Sequence, residues 1–284
     1  MKVLVTGAEG QLGSDIVKCL AAEGYDVKGI DLGDCDITAR EEITGLLERE
    51  DPDAVIHCAA YTAVDRAEDE PEKCFAVNAK GTENIALYCG QRGKRMIYFS
   101  TEYVFPGDGD RPYAEDDETG PLNVYGMSKE AGERTVRENV PEHFIIRISW
   151  AFSDHGTNFV KTMLRLSETR DTLKIVDDET GSPTYTPDVA EKMTFFLESG
   201  GFGTYNMTNE GFVSWYGFAE KVFELAGRDV RLIPVTTEEY GAKARRPLNS
   251  RLSKDKLASS GAGLLPSWED ALERCINSLL NVQN

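Results

Sequence analysis

The segment Lys2-Val3-Leu4-Val5-Thr6-Gly7-Ala8-Glu9-Gly10-Gln11-Leu12-Gly13 decides the fold. An apolar run of strand length ends in three glycines at three-residue spacing, and an amphipathic stretch opens directly after them. The order has a physical reading. Gly7 makes a tight turn, Gly10 lets backbone approach a pyrophosphate, and Gly13 permits close helix–strand contact. The helix N-terminus then offers free N–H groups and a positive dipole end to the anion. Asp31 closes the next apolar run, Val27-Lys28-Gly29-Ile30-Asp31. An acid there accepts hydrogen bonds from an adenosine ribose and repels a 2′-phosphate, which tilts the choice towards NADH. Asp36 and Ile37, just downstream, stand where a side chain meets an adenine edge.

Outward from this loop, short apolar runs alternate with amphipathic stretches, the pattern of a parallel sheet covered by helices. Strands are predicted at 2–6, 26–30, 54–57, 95–100 and 144–148, and helices at 11–23, 40–48, 71–92 and 128–139. Runs such as VLVT and AVIH lack polar alternation, as expected where both faces are buried. After about Trp150 the regularity weakens. A helix at 158–167 and a strand at 173–176 precede the turn-rich GSPTYTPD; a helix at 188–198 and a strand at 203–207 then return towards the main sheet. Helices at 215–226 and 268–280 complete the chain. The expected architecture is α/β: a Rossmann-type doubly wound parallel sheet over residues 1–150, rejoined by 184–208. A smaller, mostly helical α/β substrate-binding lobe is expected from 151–183 and 209–284.

Composition narrows the partners. The 284 residues carry a formal net charge of −18, which disfavours nucleic acid or an anionic membrane. A phosphorylated substrate needs local positive potential, and residues 243–256 supply it, with Lys243, Arg245, Arg246, Arg251, Lys254 and Lys256 against Asp255 alone. The same stretch reads equally well as a solvated basic loop. The six cysteines are scattered with no C-x-x-C pair, which fits a reducing cytosol and argues against a zinc knuckle. No export signal and no bilayer-length apolar run is read, so a cytoplasmic enzyme is expected. The three histidines fall at no metal-ligand spacing, and no metal ligand is assigned.

Two further places carry chemistry. Tyr125 and Lys129 stand four apart, so on a helix their phenol and ammonium share one face. A nearby ammonium favours phenolate and moves tyrosine towards useful acid–base strength. Thr101 falls at the carboxyl end of the strand before them, where parallel-sheet active sites form, and its hydroxyl can stabilise charge on a substrate carbonyl. The same rule picks out Cys58-Ala59-Ala60, whose small side chains let a cofactor approach backbone.

Together these segments resemble the dTDP-4-dehydrorhamnose reductase family of the extended short-chain dehydrogenase/reductases, nearly end to end. The resemblance rests on GAEGQLG, CAAYTAVDRAE (58–68), STEYVFPGDG (100–109), PLNVYGMSK (121–129), RISW (147–150), NFVKTML (158–164), GSPT (181–184) and ARRPLNSRL (244–252). It implies hydride transfer from NADPH or NADH to the C4 ketone of a dTDP-linked 4-dehydro sugar. Tyr125 would be proton donor, Thr101 would polarise the carbonyl, and Lys129 would tune Tyr125 and anchor the ribose. Trp150 and Glu102 would lie beside the sugar. The charge of the basic stretch, read by itself, offers Arg245, Arg246 or Arg251 to hold the substrate diphosphate. Cofactor contacts would come from Gly7, Gly10, Gln11, Leu12, Asp31, Asp36, Ile37, Ala59, Ala60, Thr62, Asn78, Tyr125 and Lys129. Many relatives carry aspartate where Glu102 stands and asparagine where His57 stands. The family's dual cofactor use leaves NADH against NADPH open, and magnesium stays unassigned. Either a monomer or a homodimer is compatible with the sequence. A reductase or epimerase of another nucleotide sugar, or a non-catalytic regulatory subunit of the same fold, would share the glycine loop.

Overall fold

The computed structural model describes residues 1–281. Its centre is a six-stranded sheet built from β1 (Lys2–Thr6), β2 (Asp26–Ile30), β3 (Ala54–His57), β4 (Arg95–Thr101), β5 (His143–Ile148) and an edge strand, Gly203–Asn206. Every pairing is parallel, and the order runs Gly203–Asn206, β5, β4, β3, β1, β2. Alternate residues feed two apolar layers. Val3, Val5, Ile56, Ile97 and Phe99 point into one, and Leu4, Val55, Met96 and Tyr98 into the other. Burial on both faces explains why these strands read as unbroken apolar runs. The chain leaves β1 towards β2 on one side and resumes at β3 on the other. That reversal opens a crevice at the carboxyl ends of β1 and β3.

Helices cover the sheet: α1 (Gln11–Ala22), α2 (Arg40–Glu50), a short α3 (Val64–Ala67), α4 (Pro71–Phe75), α5 (Thr82–Arg92) and α6 (Val124–Asn139). Three predicted helices are corrected. The expected helix 71–92 is interrupted by a π-helical turn, Ala76–Gly81, between α4 and α5, where the Thr82 hydroxyl donates to the Asn78 carbonyl at 2.7 Å. Helix α6 starts a turn earlier than 128, because the Asn123 side chain accepts from the Gly126 N–H at 2.8 Å and caps it. Tyr125 and Lys129 therefore ride the same helix. The stretch expected as one helix over 188–198 is two, Thr186–Ala190 and Met193–Glu198.

Beyond β5 a third apolar cluster gathers Phe152, Val160, Phe218, Trp268 and Leu272. Strand Arg231–Val235, not anticipated, pairs in parallel with Thr172–Val176 beside it. Among the described residues no helix is long and apolar enough to cross a membrane.

A buried ion pair places α6 against the sheet. Arg147 of β5 donates from Nε and Nη2 to the two Glu133 carboxylate oxygens, each at 2.8 Å, and both side chains are at most 1% exposed. Arg147 Nη1 donates to the Glu115 carbonyl at 3.0 Å, and its guanidinium lies 4.8 Å from the Phe105 ring centroid. Burial alone would raise the Glu133 carboxyl, but Arg147, with Arg137 beside it, outweighs burial and holds it below the usual range. Breaking such a pair from one side strands a buried charge at a cost of roughly 3–5 kcal/mol. Glu133→Gln is therefore expected to lower unfolding free energy by about that amount in urea titration, whereas the apolar double replacement Glu133→Leu/Arg147→Met should be milder than either single change. A double variant as damaged as the sum of its singles would contradict this.

Candidate active site

The crevice at the carboxyl ends of the strands is a cleft of about 910 Å³. At one end the glycine loop has the shape the spacing implied. Gly7 takes a positive φ of 68°, and a Cβ there would lie 2.6 Å from the Ala59 nitrogen. Gly13 likewise leaves no room for a Cβ against the Gly7 carbonyl. Helix α1 thus starts directly over the loop with its first N–H groups facing the cleft. The Asp31 carboxylate accepts from the Glu9 N–H at 2.9 Å and the Leu32 N–H at 2.8 Å, tying the end of β2 to the loop. Packed glycines, a helix N-terminus and an acid at the end of β2 form the cradle that a nicotinamide dinucleotide requires, so these residues fit that group.

His57 explains itself in this frame. Its Nδ1 meets the Thr6 hydroxyl at 2.7 Å and its Nε2 the Thr82 hydroxyl at 3.0 Å. Since Thr82 spends its proton on Asn78, the imidazole donates from Nε2 and accepts at Nδ1. Burial drops its pKa to about 3, so it is a neutral strut between β1, β3 and the π-turn.

The far end of the cleft gathers Thr101, Glu102, Tyr125 and Lys129. Lys129 is 3% exposed, and its Nζ donates to the Phe99 carbonyl at 2.7 Å and lies 4.1 Å from the Tyr98 ring centroid. Burial pulls this lysine down to about 7, against the opposing pull of Glu133. The expectation that Lys129 draws the Tyr125 phenol downward is corrected. Burial, then the Glu102 carboxylate, push Tyr125 well above its ordinary value, and a hydrogen bond with Thr101 offsets only part. At neutral pH Tyr125 is a phenol with a proton to give. Thr101 donates its hydroxyl proton to Glu102 at 2.7 Å. Burial pushes the Glu102 carboxyl up to about 7, with the Thr101 hydrogen bond working the other way and Glu179 adding to the rise.

Most sequence-predicted site residues line this one cleft, including Gln11, Leu12, Asp36, Ile37, Ala60 and Thr62 on the dinucleotide side and Trp150 at the reactive end. Asn78 does not line it. Fully buried, it accepts from the Tyr61 N–H at 2.7 Å and donates to the Tyr61 carbonyl at 3.0 Å and Ser128 at 2.9 Å, holding α6 against the loop after β3. Arg245, Arg246 and Arg251 also lie outside the lining. Arg246 is held by Asp65 at 2.7 and 3.0 Å, Arg251 donates to the Asp110 carbonyl at 2.5 Å, and Arg245 is exposed.

Sequence reasoning missed two groups. Gln11 is clamped from across the cleft, by Asn158 Nδ2 at 2.8 Å and by His155 Nε2 against its carbonyl oxygen at 3.0 Å. Trp215 also lines the reactive end. Both contacts join residues far apart in the chain, which no local pattern reports. Among the described residues no group of three or more His, Cys, Asp or Glu side chains is placed to hold a metal ion.

Comparison with known proteins agrees with this geometry. The model of the RmlD substrate binding domain matches residues 1–281. The spore coat polysaccharide biosynthesis protein SpsK of Bacillus subtilis is 41% identical, covering 95% of each chain. A dTDP-4-dehydrorhamnose reductase of Sinorhizobium fredii is 38% identical over 99% of this chain and 98% of its own. The crystal structure of dTDP-4-dehydrorhamnose reductase from Bacillus anthracis in complex with NADP superposes with a TM-score of 0.95 at 40% identity, covering 98% of this chain and 99% of that one. With agreement along nearly its whole length, and with Thr101, Tyr125 and Lys129 gathered at one end of the cleft, this chain belongs to the dTDP-4-dehydrorhamnose reductase family.

Proposed function

We propose that this chain reduces the C4 ketone of dTDP-4-dehydro-L-rhamnose to dTDP-L-rhamnose, with NADPH or NADH as reductant. The observation that carries the reading is one cleft with a dinucleotide cradle at one end and Thr101, Tyr125 and Lys129 at the other. A regulatory subunit that only binds nucleotide has no chemical need for that second end. The reaction belongs in the cytoplasm, a reading supported by six free cysteines.

The chain's own residues divide the work. Gly7, Gly10 and the start of α1 receive the pyrophosphate, Asp31 the adenosine ribose, and Lys129 the ribose nearer the reaction. When bound, the reduced nicotinamide supplies the hydride. Tyr125 gives its phenolic proton to the C4 oxygen as that oxygen becomes an alcohol, which its retained proton at neutral pH suits. Thr101 has one proton, and ionised Glu102 holds it. A neutral Glu102 can instead donate to Thr101 and free that proton for the substrate oxygen, so the carboxyl governs which way Thr101 points. Its position near 7 keeps both forms accessible at neutral pH. Arg246, half-buried and paired with Asp65, holds the substrate diphosphate by exchanging that bond.

Purified protein given dTDP-4-dehydro-L-rhamnose should consume NADPH or NADH and form dTDP-L-rhamnose; binding of the dinucleotide without oxidation would favour the regulatory-subunit reading. Tyr125→Phe should lower kcat by roughly 10²-fold or more with cofactor affinity nearly unchanged, and wild-type kcat in that variant would remove Tyr125 as the acid. Glu102 also leaves a mark on stability. Its folded pKa, about 7, exceeds the ordinary 4.5, so the native state binds the extra proton between those values and the fold weakens as pH rises through that window. Relative to wild type, Glu102→Gln should gain up to about 3 kcal/mol between pH 5 and pH 8 in denaturant titrations. Parallel curves for the two proteins would show that Glu102 titrates normally.

A further inference from the structure

The reactive end of the cleft has an aromatic wall of two tryptophans, Trp150 and Trp215, from segments 65 residues apart in the chain. Trp150, just past β5, holds a φ of +48°, a conformation rare for a bulky residue and sustained only where the surroundings impose it. The surroundings are visible. Thr184 N–H donates to the Trp150 carbonyl at 3.2 Å, and the indole is packed so closely on Gly181 that a Cβ there would lie 2.6 Å from it. The Trp215 ring stacks on Trp150 with centroids 3.6 Å apart and planes 12° from parallel.

Trp215 is itself fixed from three directions. Its Nε1 donates to Glu179 at 3.0 Å, and Glu179 is 4% exposed and also accepts from the Thr237 hydroxyl at 3.1 Å. Ser214, the cap of the helix that Trp215 opens, donates to Asp177 at 2.6 Å. Phe159 packs against the indole with centroids 4.6 Å apart. A buried carboxylate that accepts an indole N–H fixes ring orientation as well as position, because the donor is single and directional. Displacing Trp215 would take the indole donor from Glu179 Oε2, leaving Thr237 on the other oxygen, and would leave Trp150 without its stacked partner.

We propose that Trp215 is a positioning residue for sugar binding. Pinned by Glu179, it braces Trp150 in its strained conformation, so that the Trp150 indole is preorganised as the wall on which the sugar ring rests. The inference rests on the reading above that Trp150 lies beside the sugar of a nucleotide-sugar substrate. It adds a determinant of sugar affinity from a distant segment that does not touch the reacting atoms. Aromatic stacking of this kind contributes about 0.5–1.5 kcal/mol beyond burial, so losing the brace should cost roughly three- to tenfold in sugar affinity.

The test is steady-state kinetics on Trp215→Leu, Trp215→Phe, Glu179→Leu, Trp150→Leu and the Trp150→Leu/Trp215→Leu double variant, with NADPH affinity measured separately. Trp215→Leu should raise KM for the sugar nucleotide roughly three- to tenfold, lower kcat by less than about twofold and leave NADPH affinity unchanged. Trp215→Phe should restore most of the loss, and the double variant should bind sugar no worse than Trp150→Leu, because Trp215 acts through Trp150. Glu179→Leu should reproduce a smaller rise in KM and keeps the question answerable if Trp215→Leu does not fold. An unchanged KM in these variants, or additive losses in the double variant, would overturn the inference. Absence of turnover in the wild-type protein would remove the functional reading, and the inference with it.

Discussion

Glu133 keeps its charge where no water reaches it, and the rest of the active site depends on what that requires. A buried carboxylate must be met by a cation and by hydrogen bonds, and Arg147 provides both with a two-pronged contact. Because Glu133 sits on α6 and Arg147 on β5, the pair sets the height of α6 above the strand ends. Gly126 and Gly132 let the helix come that close, since neither leaves space for a Cβ against Tyr103 and Tyr98. Tyr125 and Lys129 are carried with it, to the end of β4 where Thr101 stands. The same carboxylate, one turn from Lys129, partly opposes the burial that lowers the pKa of that lysine. One ion pair thus links folding to the placement of Tyr125 and Lys129 and to the ionisation of Lys129.

The dinucleotide end obeys a different constraint, close approach rather than charge. Gly7 and Gly13 bring loop, helix and β3 into contact that any side chain would prevent. His57 then locks the frame through Thr6 and Thr82 as a neutral ring. A histidine at this place spans between strand and π-turn with both nitrogens satisfied, which gives the departure from asparagine a structural rationale.

How much of this was legible depended on whether the determinant was local. Strands such as Lys2–Thr6 and Ala54–His57 declared themselves because burial on both faces suppresses alternation. Gly7, Gly10 and Gly13 did so because their spacing mirrors a tight turn onto a helix. Tyr125 and Lys129 were found by helical spacing, yet the start of α6 was placed too late. Tyr125-Gly126-Met127-Ser128 has weak helix propensity, and the Asn123 cap that overrides it shows no periodicity. The π-turn at Ala76–Gly81 was hidden inside a continuous amphipathic pattern. Trp215 escaped notice because its partners, Trp150 and Glu179, lie far from it in the chain, and its position at a helix start reads as ordinary packing. The influence of Lys129 on Tyr125 was misjudged for a related reason: spacing reports that two groups share a face, but desolvation, which dominates both, is a property of the assembled site.

The chemistry we propose is a ketone reduction with the proton given by a buried phenol, the carbonyl met by Thr101 under the control of Glu102, and the sugar seated on a braced indole. The most direct test follows the transferred hydrogen. Protein supplied with dTDP-4-dehydro-L-rhamnose and NADPH carrying deuterium at the reactive nicotinamide position should yield dTDP-L-rhamnose with deuterium bound to C4 of the sugar and nowhere else, as read by proton and deuterium NMR. Product without deuterium at C4, or sugar rearranged while the cofactor returns unoxidised, would contradict the account and mark the chain as an epimerase or a binding protein built on a reductase frame.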